Sequence, residues 1–263
     1  MLELYQLSIW RPCGSAARHL QSEGLGRIVD PETNSVNEPA PGTRPIAGLV
    51  VSHRRRFVFI HVPKTAGGSL KRALLAQCDD AVSPGIAVQR VQQAIGNHFQ
   101  VAIKNALARH IQSGPLRYFV TARGHPTAAM TLLCHPTYYS YRKFAFVRNP
   151  FDRIVSSYEY ARQEQGYEGE FADYVRNCRR YLPPQVNSVF FYRRKLVDWI
   201  GRFETLDDDL EYLSNWLELP RLALGHRNRT VRARYDDYMT PSLKRLVVEA
   251  YSSDFAAFNY ARD

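Results

Sequence analysis

Residues 57–77 read FVFIHVPKTAGGSLKRALLAQ. The opening six are a compact β-branched and aromatic run, SLKRALLAQ has helical spacing, and glycines lie between them, so the stretch predicts strand, loop and helix. Small residues at such a corner let backbone N–H groups close on an anion, and the helix dipole adds favourable potential there. The loop Pro63, Lys64, Thr65, Ala66, Gly67, Gly68, Ser69, Leu70 is therefore expected to cradle an anion. Loops that bind ATP or GTP read GxxxxGK[ST], with the lysine after the glycines and a hydroxyl residue on magnesium. Here Lys64 comes first, where it can meet charge developing at the end of a bound anion as a bond breaks.

Outward from this unit the pattern repeats. RYFVTA (117–122) predicts a second strand, KFAFV (143–147) a third that runs into a helix from Pro150, and WIGRF (199–203) a fourth. Thr205 with Asp208 is spaced like a capping box for the helix LDDDLEYLSNWLEL, and Thr240 with Pro241 opens a last helix expected to continue through Ala257. Strands alternating with helices imply an α/β fold, a three-layer sandwich with a central parallel sheet and its ligands at the carboxyl ends of the strands. Residues 1–50, rich in Pro, Gly, Asn and charge over 23–48, read as a poorly ordered arm, and 51–263 as the functional domain. The run Arg54 to Arg56 reads as a positively charged approach to the first strand.

A second chemical motif follows KFAFV: Arg148, Asn149, Pro150, Phe151, Asp152, Arg153, Ile154, Val155, Ser156, Ser157, Tyr158. Arg148 leaves a strand at its carboxyl end, Pro150 suits a first helical turn, and Ser156 lies about two turns along. A guanidinium fork with a hydroxyl suits a terminal phosphate. Arg153 reads as a helix-face residue, solvated or ion-paired with Asp152 or Glu159, rather than a ligand. A magnesium-dependent NTPase would carry an acidic residue at such a strand end.

The order PKTxGxS resembles the 5′-phosphosulfate loop of sulfotransferases that use 3′-phosphoadenosine 5′-phosphosulfate (PAPS), in the branch with Golgi-type and bacterial carbohydrate enzymes. Members of that branch commonly carry HxPKTxGTSL, and Gly68 stands where the threonine is usual. The resemblance implies a P-loop-like fold in which Lys64, Thr65, Ala66, Gly67, Gly68, Ser69 and Leu70 hold the 5′ end of PAPS. It makes Arg148 and Ser156 the 3′-phosphate site, and adds Arg229, from the late basic loop HRNRTVRAR (226–234), as a further ligand whose other reading is a solvated loop. It extends over roughly residues 55–260, through Pro183-Pro184-Gln185, the segment 200–204, Asn228-Arg229-Thr230 and Tyr251…Asp254-Phe255. The implied activity is sulfuryl transfer by in-line displacement to a hydroxyl acceptor, a glycan by branch and charge, with no metal.

Such a reaction needs a base for the acceptor hydroxyl. His125 follows the second predicted strand and is the first choice, supported by the Gly-His common there in the branch. The alternative for His125 is a helix cap or a loop hydrogen bond. His98 is second, and His61, inside the first strand, reads as buried and hydrogen-bonded.

Composition bounds the rest. A chain of 263 residues with 45% hydrophobic content supports one sizeable core, and a formal charge of +10 favours anionic partners without choosing among nucleotides, acidic glycans, lipid headgroups and nucleic acid. Scattered basic residues and the lack of a recognisable motif argue against nucleic acid. Cys13, Cys78, Cys134 and Cys178 are too dispersed to signal zinc or a disulfide scaffold. No membrane-length apolar run or signal sequence is seen, so the sequence reads as cytoplasmic as it stands, and a Golgi relative would have to have lost its anchor. The competing classes are an ATP-dependent kinase and a non-catalytic nucleotide or polyanion binder.

Overall fold

Among the described residues four short strands build the sheet, each carrying β-branched or aromatic residues: β1 Leu49–Ser52, β2 Phe57–Ile60, β3 Arg142–Val147 and, after a small hairpin, β6 Trp199–Arg202. The computed structural model describes residues 49–78, 80, 81, 125–178, 182–224 and 235–263. The arm before residue 49, the strand expected at 117–122, His98 and Arg229 lie outside the described residues.

The strand order is β1-β2-β3-β6. β3 pairs parallel with β2 (Phe57↔Arg142 to Ile60↔Ala145) and with β6 (Phe144↔Trp199 to Val147↔Arg202), as the alternation of strands and helices requires. β1 was not anticipated. It pairs antiparallel with β2 through a turn that contains Arg54 to Arg56, with Arg56 at φ 52°. All four of its residues are buried, so the core takes in Leu49 and Val50, which precede the expected domain start. The three arginines belong to this turn, and Arg55 donates to the carbonyl of Glu218.

Helices cover both faces. α1 (Gly67–Gln77) and α6 (Leu206–Trp216) pack Leu70, Leu74, Leu210 and Leu213 on Phe57, Phe59, Phe144 and Phe146. On the other face α2 (Ala128–Cys134) and α5 (Val186–Val189) lie against Val58, Ile60, Ala145 and Val147. β3 is thus apolar on both sides, the mark of a central strand in a three-layer α/β sandwich. Burying each phenylalanine contributes about 1.5–3 kcal/mol. At the amino edge Lys143 donates to the carbonyls of Tyr139 and Tyr141 (3.1 and 2.7 Å) and pairs with Asp198 at 3.0 Å.

A third cluster joins α3 (Pro150–Gln165) to α4 (Phe171–Arg176), α7 (Pro241–Ala250) and α8 (Ser252–Phe258). α3 begins as expected at Pro150, with the Asn149 side chain accepting from the Phe151 amide, and stops at Gly166, φ 64°. Thr240 caps α7 through the Leu243 amide. The single helix expected from Pro241 through Ala257 is instead two, parted at Tyr251. Tyr251 and Asp254 both face inward, the phenol donating to the Leu182 carbonyl at 2.6 Å. The expected capping box at Thr205 is also replaced: its hydroxyl bonds Asp209, which accepts the Arg202 amide as well, so Asp209 rather than Asp208 closes the β6–α6 corner. β4 (Phe190–Phe191) and β5 (Arg194–Lys195) form the hairpin before β6. No described helix is long and apolar enough to cross a membrane.

Candidate active site

β2 leaves its ladder after Ile60, and the chain turns through His61, Val62 and Pro63 into the predicted cradle. Lys64 and Ala66 both take left-handed conformations, φ 69° and 62°, with Thr65 between them. Non-glycine residues seldom occupy that region, and alternation of this sort turns neighbouring N–H groups to one side. The Thr65 hydroxyl donates to the Val62 carbonyl at 2.8 Å and fixes the loop from inside. The amides of Ser69 and Leu70 both go to the Ala66 carbonyl, at 3.0 and 3.1 Å. The Leu70 side chain lies in the core, among the phenylalanines of β2 and β3. The first-turn amides of Gly67 and Gly68 have no acceptor among the described residues, and they open at the positive end of α1. A Cβ at Gly68 would meet nothing within 4 Å, so that side of the cradle is open.

Gly67 is tightly confined. An ideal Cβ there would fall 1.8 Å from His61 Cδ2. The His61 ring lies on Phe59 (centroids 5.9 Å apart) and meets His125 edge-on at 4.5 Å. The two histidines that the sequence separated are therefore neighbours at the carboxyl edge. Thr127, not His125, caps α2 by accepting the Met130 amide at 3.1 Å, which leaves the His125 ring to the His61 side. Burial first, then the charges of His125, Lys71 and Lys64, hold His61 down at about 3. Its folded pKa is below the unfolded value, so below about pH 6.5 the unfolded chain takes up a proton that the native ring refuses, and stability falls with pH. Between pH 6.5 and 5, urea midpoints should report up to about 1.5 kcal/mol more loss for the wild type than for His61→Asn.

At the end of β3, Arg148 is buried. Its guanidinium lies 4.1 Å over the Phe203 ring and 3.9 Å from the Asp152 carboxylate. Ser156, also buried, lies one turn beyond Asp152 on the same face of α3, and Tyr160 one turn further. The Lys64 ammonium stands 4.1 Å above the Tyr160 ring. One stripe of α3 thus runs from Arg148, through Asp152, Ser156 and Tyr160, to Lys64.

Arg153, expected on a helix face, is instead 1% exposed. It donates to the carbonyls of Pro63 and Pro183, each at 3.0 Å, and pairs with Asp254 at 3.8 Å, not with Asp152 or Glu159. Asp254 accepts the amides of Gln185 and Val186 at 2.9 and 3.0 Å, and the Gln185 side chain bonds both the N–H and the C=O of Arg148. Sequence reasoning missed the roles of Gln185 and Asp254, although both lie in segments that carry the resemblance. Among the described residues no cluster of His, Cys, Asp and Glu is arranged to hold a metal.

A curated protein from Archaeoglobus fulgidus, described as uncharacterized, is 30% identical over 84 residues, 30% of this chain and 70% of its own. A solved sulfotransferase from Alicyclobacillus acidocaldarius superposes with a TM-score of 0.41 at 14% identity, covering 76% of this chain and 92% of that one. The profile described as "Sulfotransferase family" matches residues 47–261, from the edge strand through α8 and including both loops at the carboxyl edge. The chain belongs to the sulfotransferase family, enzymes that transfer sulfur-containing groups.

Proposed function

We propose that the chain moves a sulfuryl group from PAPS to a hydroxyl of a carbohydrate, with the donor lying across the carboxyl ends of β2 and β3. The observation that carries this reading is the α3 stripe, which sets Lys64 and Arg148 beside positions eight residues apart, about 12 Å of helix. A donor with anionic groups at both ends suits that spacing.

The residues present fit such a donor. The Gly67 and Gly68 amides with Lys64 receive the 5′ end, and Arg148 and Ser156 receive the 3′-phosphate. On this reading Arg229, outside the described residues, adds to the 3′ contacts. When bound, PAPS supplies an activated sulfuryl group and a stable bisphosphate leaving group. Lys64 and the helix amides oppose the charge that grows at the transferring end. His125 accepts the proton of the acceptor hydroxyl. His61, neutral near pH 7, supports His125 without adding a second positive charge. Cations and amides stand where a magnesium-dependent site would carry an acidic strand end, so the reading includes no metal. A glycan acceptor is supported by the branch resemblance and the +10 charge.

Calorimetry with adenosine 3′,5′-bisphosphate against Mg-ATP tests the donor. The bisphosphate should bind preferentially, and Arg148→Ala should weaken it about 10- to 100-fold, the worth of a hydrogen-bonded charge. Preference for Mg-ATP would overturn the reading in favour of a kinase. Bisphosphate binding without transfer to any of a panel of polysaccharides would favour a binding protein.

A further inference from the structure

Gln185 is fully buried, and its side-chain amide meets both polar backbone groups of Arg148. Its Oε1 accepts the Arg148 N–H at 2.9 Å and its Nε2 donates to the Arg148 carbonyl at 2.8 Å. A side-chain amide that pairs with both polar groups of one residue fixes the two peptide units that flank its Cα as a ladder partner would, at a point where β3 has run out of ladder. Gln185 is fixed in turn. Its own N–H goes to Asp254, 0% exposed, whose carboxylate also takes the Val186 amide. Arg153 then joins Asp254 to the Pro63 carbonyl, directly before Lys64.

Burying this pair is costly, and ion pairs so placed are often no more stabilising than apolar groups of the same volume. Burial itself pushes the Asp254 carboxyl up from its ordinary value, against the pull of Arg153 and the two amides. A wholly apolar contact between α3 and α8 could supply the packing. It could not hold the Arg148 peptide and the Pro63 carbonyl at fixed places on two different strand ends.

We propose that Gln185 is a positioning residue for the 3′-phosphate end of the donor site, acting through Arg148, and that Asp254 and Arg153 tie it to the loop bearing Lys64. This rests on the reading of Arg148 as the 3′-phosphate ligand. The two cationic ends are then set by one buried relay, Arg148, Gln185, Asp254, Arg153 and Pro63, as well as by the α3 stripe.

The test compares adenosine 3′,5′-bisphosphate with adenosine 5′-monophosphate by calorimetry. Gln185→Met, nearly isosteric and unable to make either bond, should weaken the bisphosphate on the order of tenfold while leaving the monophosphate unchanged. In an Arg148→Ala background the same substitution should add no further loss. Equal losses for both nucleotides, or losses that add in full, would mean that Gln185 serves only the fold. If the wild type binds the two nucleotides alike, the donor reading itself fails and the positioning role goes with it. Should Gln185→Met not fold, amide hydrogen exchange on the wild type decides. The bisphosphate, and not the monophosphate, should slow exchange at Arg148, Gln185 and Val186, and identical protection by both overturns the proposal.

Discussion

His125→Ala should lower kcat by about 10²- to 10⁴-fold while adenosine 3′,5′-bisphosphate binds as it does to the wild type. That range is what a positioned acid–base group contributes. The measurement is transfer of sulfur-labelled sulfuryl from PAPS to the best acceptor in the polysaccharide panel, beside calorimetry of the bisphosphate. The two readouts should separate because the 3′-phosphate anchors, Arg148 and Ser156, lie on β3 and α3, whereas His125 meets His61 at the end of β2. His125→Asn should behave like the alanine variant, since an amide keeps polarity but cannot take a proton near pH 7. An activity loss under threefold would remove His125 from the role of base.

Gly67→Ala should cost roughly 10²-fold in kcat/KM, the scale of a misplacement of about 1 Å at a reacting centre. In most helices this substitution is mildly favourable, by roughly 0.5–1 kcal/mol. Here the added methyl would stand 1.8 Å from His61 Cδ2 and 2.1 Å from Nε2, far inside any contact distance. The imidazole cannot simply swing aside, because it lies between Phe59 and His125. Either the ring moves and carries His125 with it, or the first turn of α1 retreats and withdraws the cradle amides. Both harm transfer, and a thermal melt near that of the wild type would separate this effect from unfolding. Gly68→Ala is the control, because its Cβ meets open space. Wild-type activity in Gly67→Ala would show that the close approach of His61 to α1 is dispensable.

The strands and loops at the carboxyl edge were legible because they are local. FVFIHV, KFAFV and WIGRF each announce a strand by composition, and the order of lysine and glycines after the first separates this loop from a nucleotide-kinase loop without any tertiary knowledge. Arg153 shows where that reading stops. Its neighbours Asp152 and Glu159 offered a local ion pair, yet it pairs with Asp254, a hundred residues away and beyond a helix break. Nothing local marks Tyr251 as that break, since the apolar spacing of 241–257 suits one continuous helix. Beyond the break Asp254 turns inward and accepts the buried amides of Gln185 and Val186, a contact 68 or more residues distant in sequence. β1 was passed over for a similar reason: four residues beside a Pro-rich stretch look like linker until the pairing of Leu49 with Ile60 is seen. The approach of His61 to His125 spans 64 residues and no periodicity reports it.

The α3 stripe also bears on how affinity is distributed. Because α3 is capped at Asn149 and closed at Gly166, the groups beside its two ends are held on one rigid body, and the capture of one end of a ligand makes the other an intramolecular event. On the proposed reading the two halves of the donor therefore multiply, not add, their separate affinities. Fragments that carry either half alone should displace the whole donor only at concentrations far above that at which the donor itself saturates. The enzyme would then discriminate by the length of the whole donor more sharply than by the chemistry of either end, a form of selectivity that common mononucleotides cannot defeat by abundance.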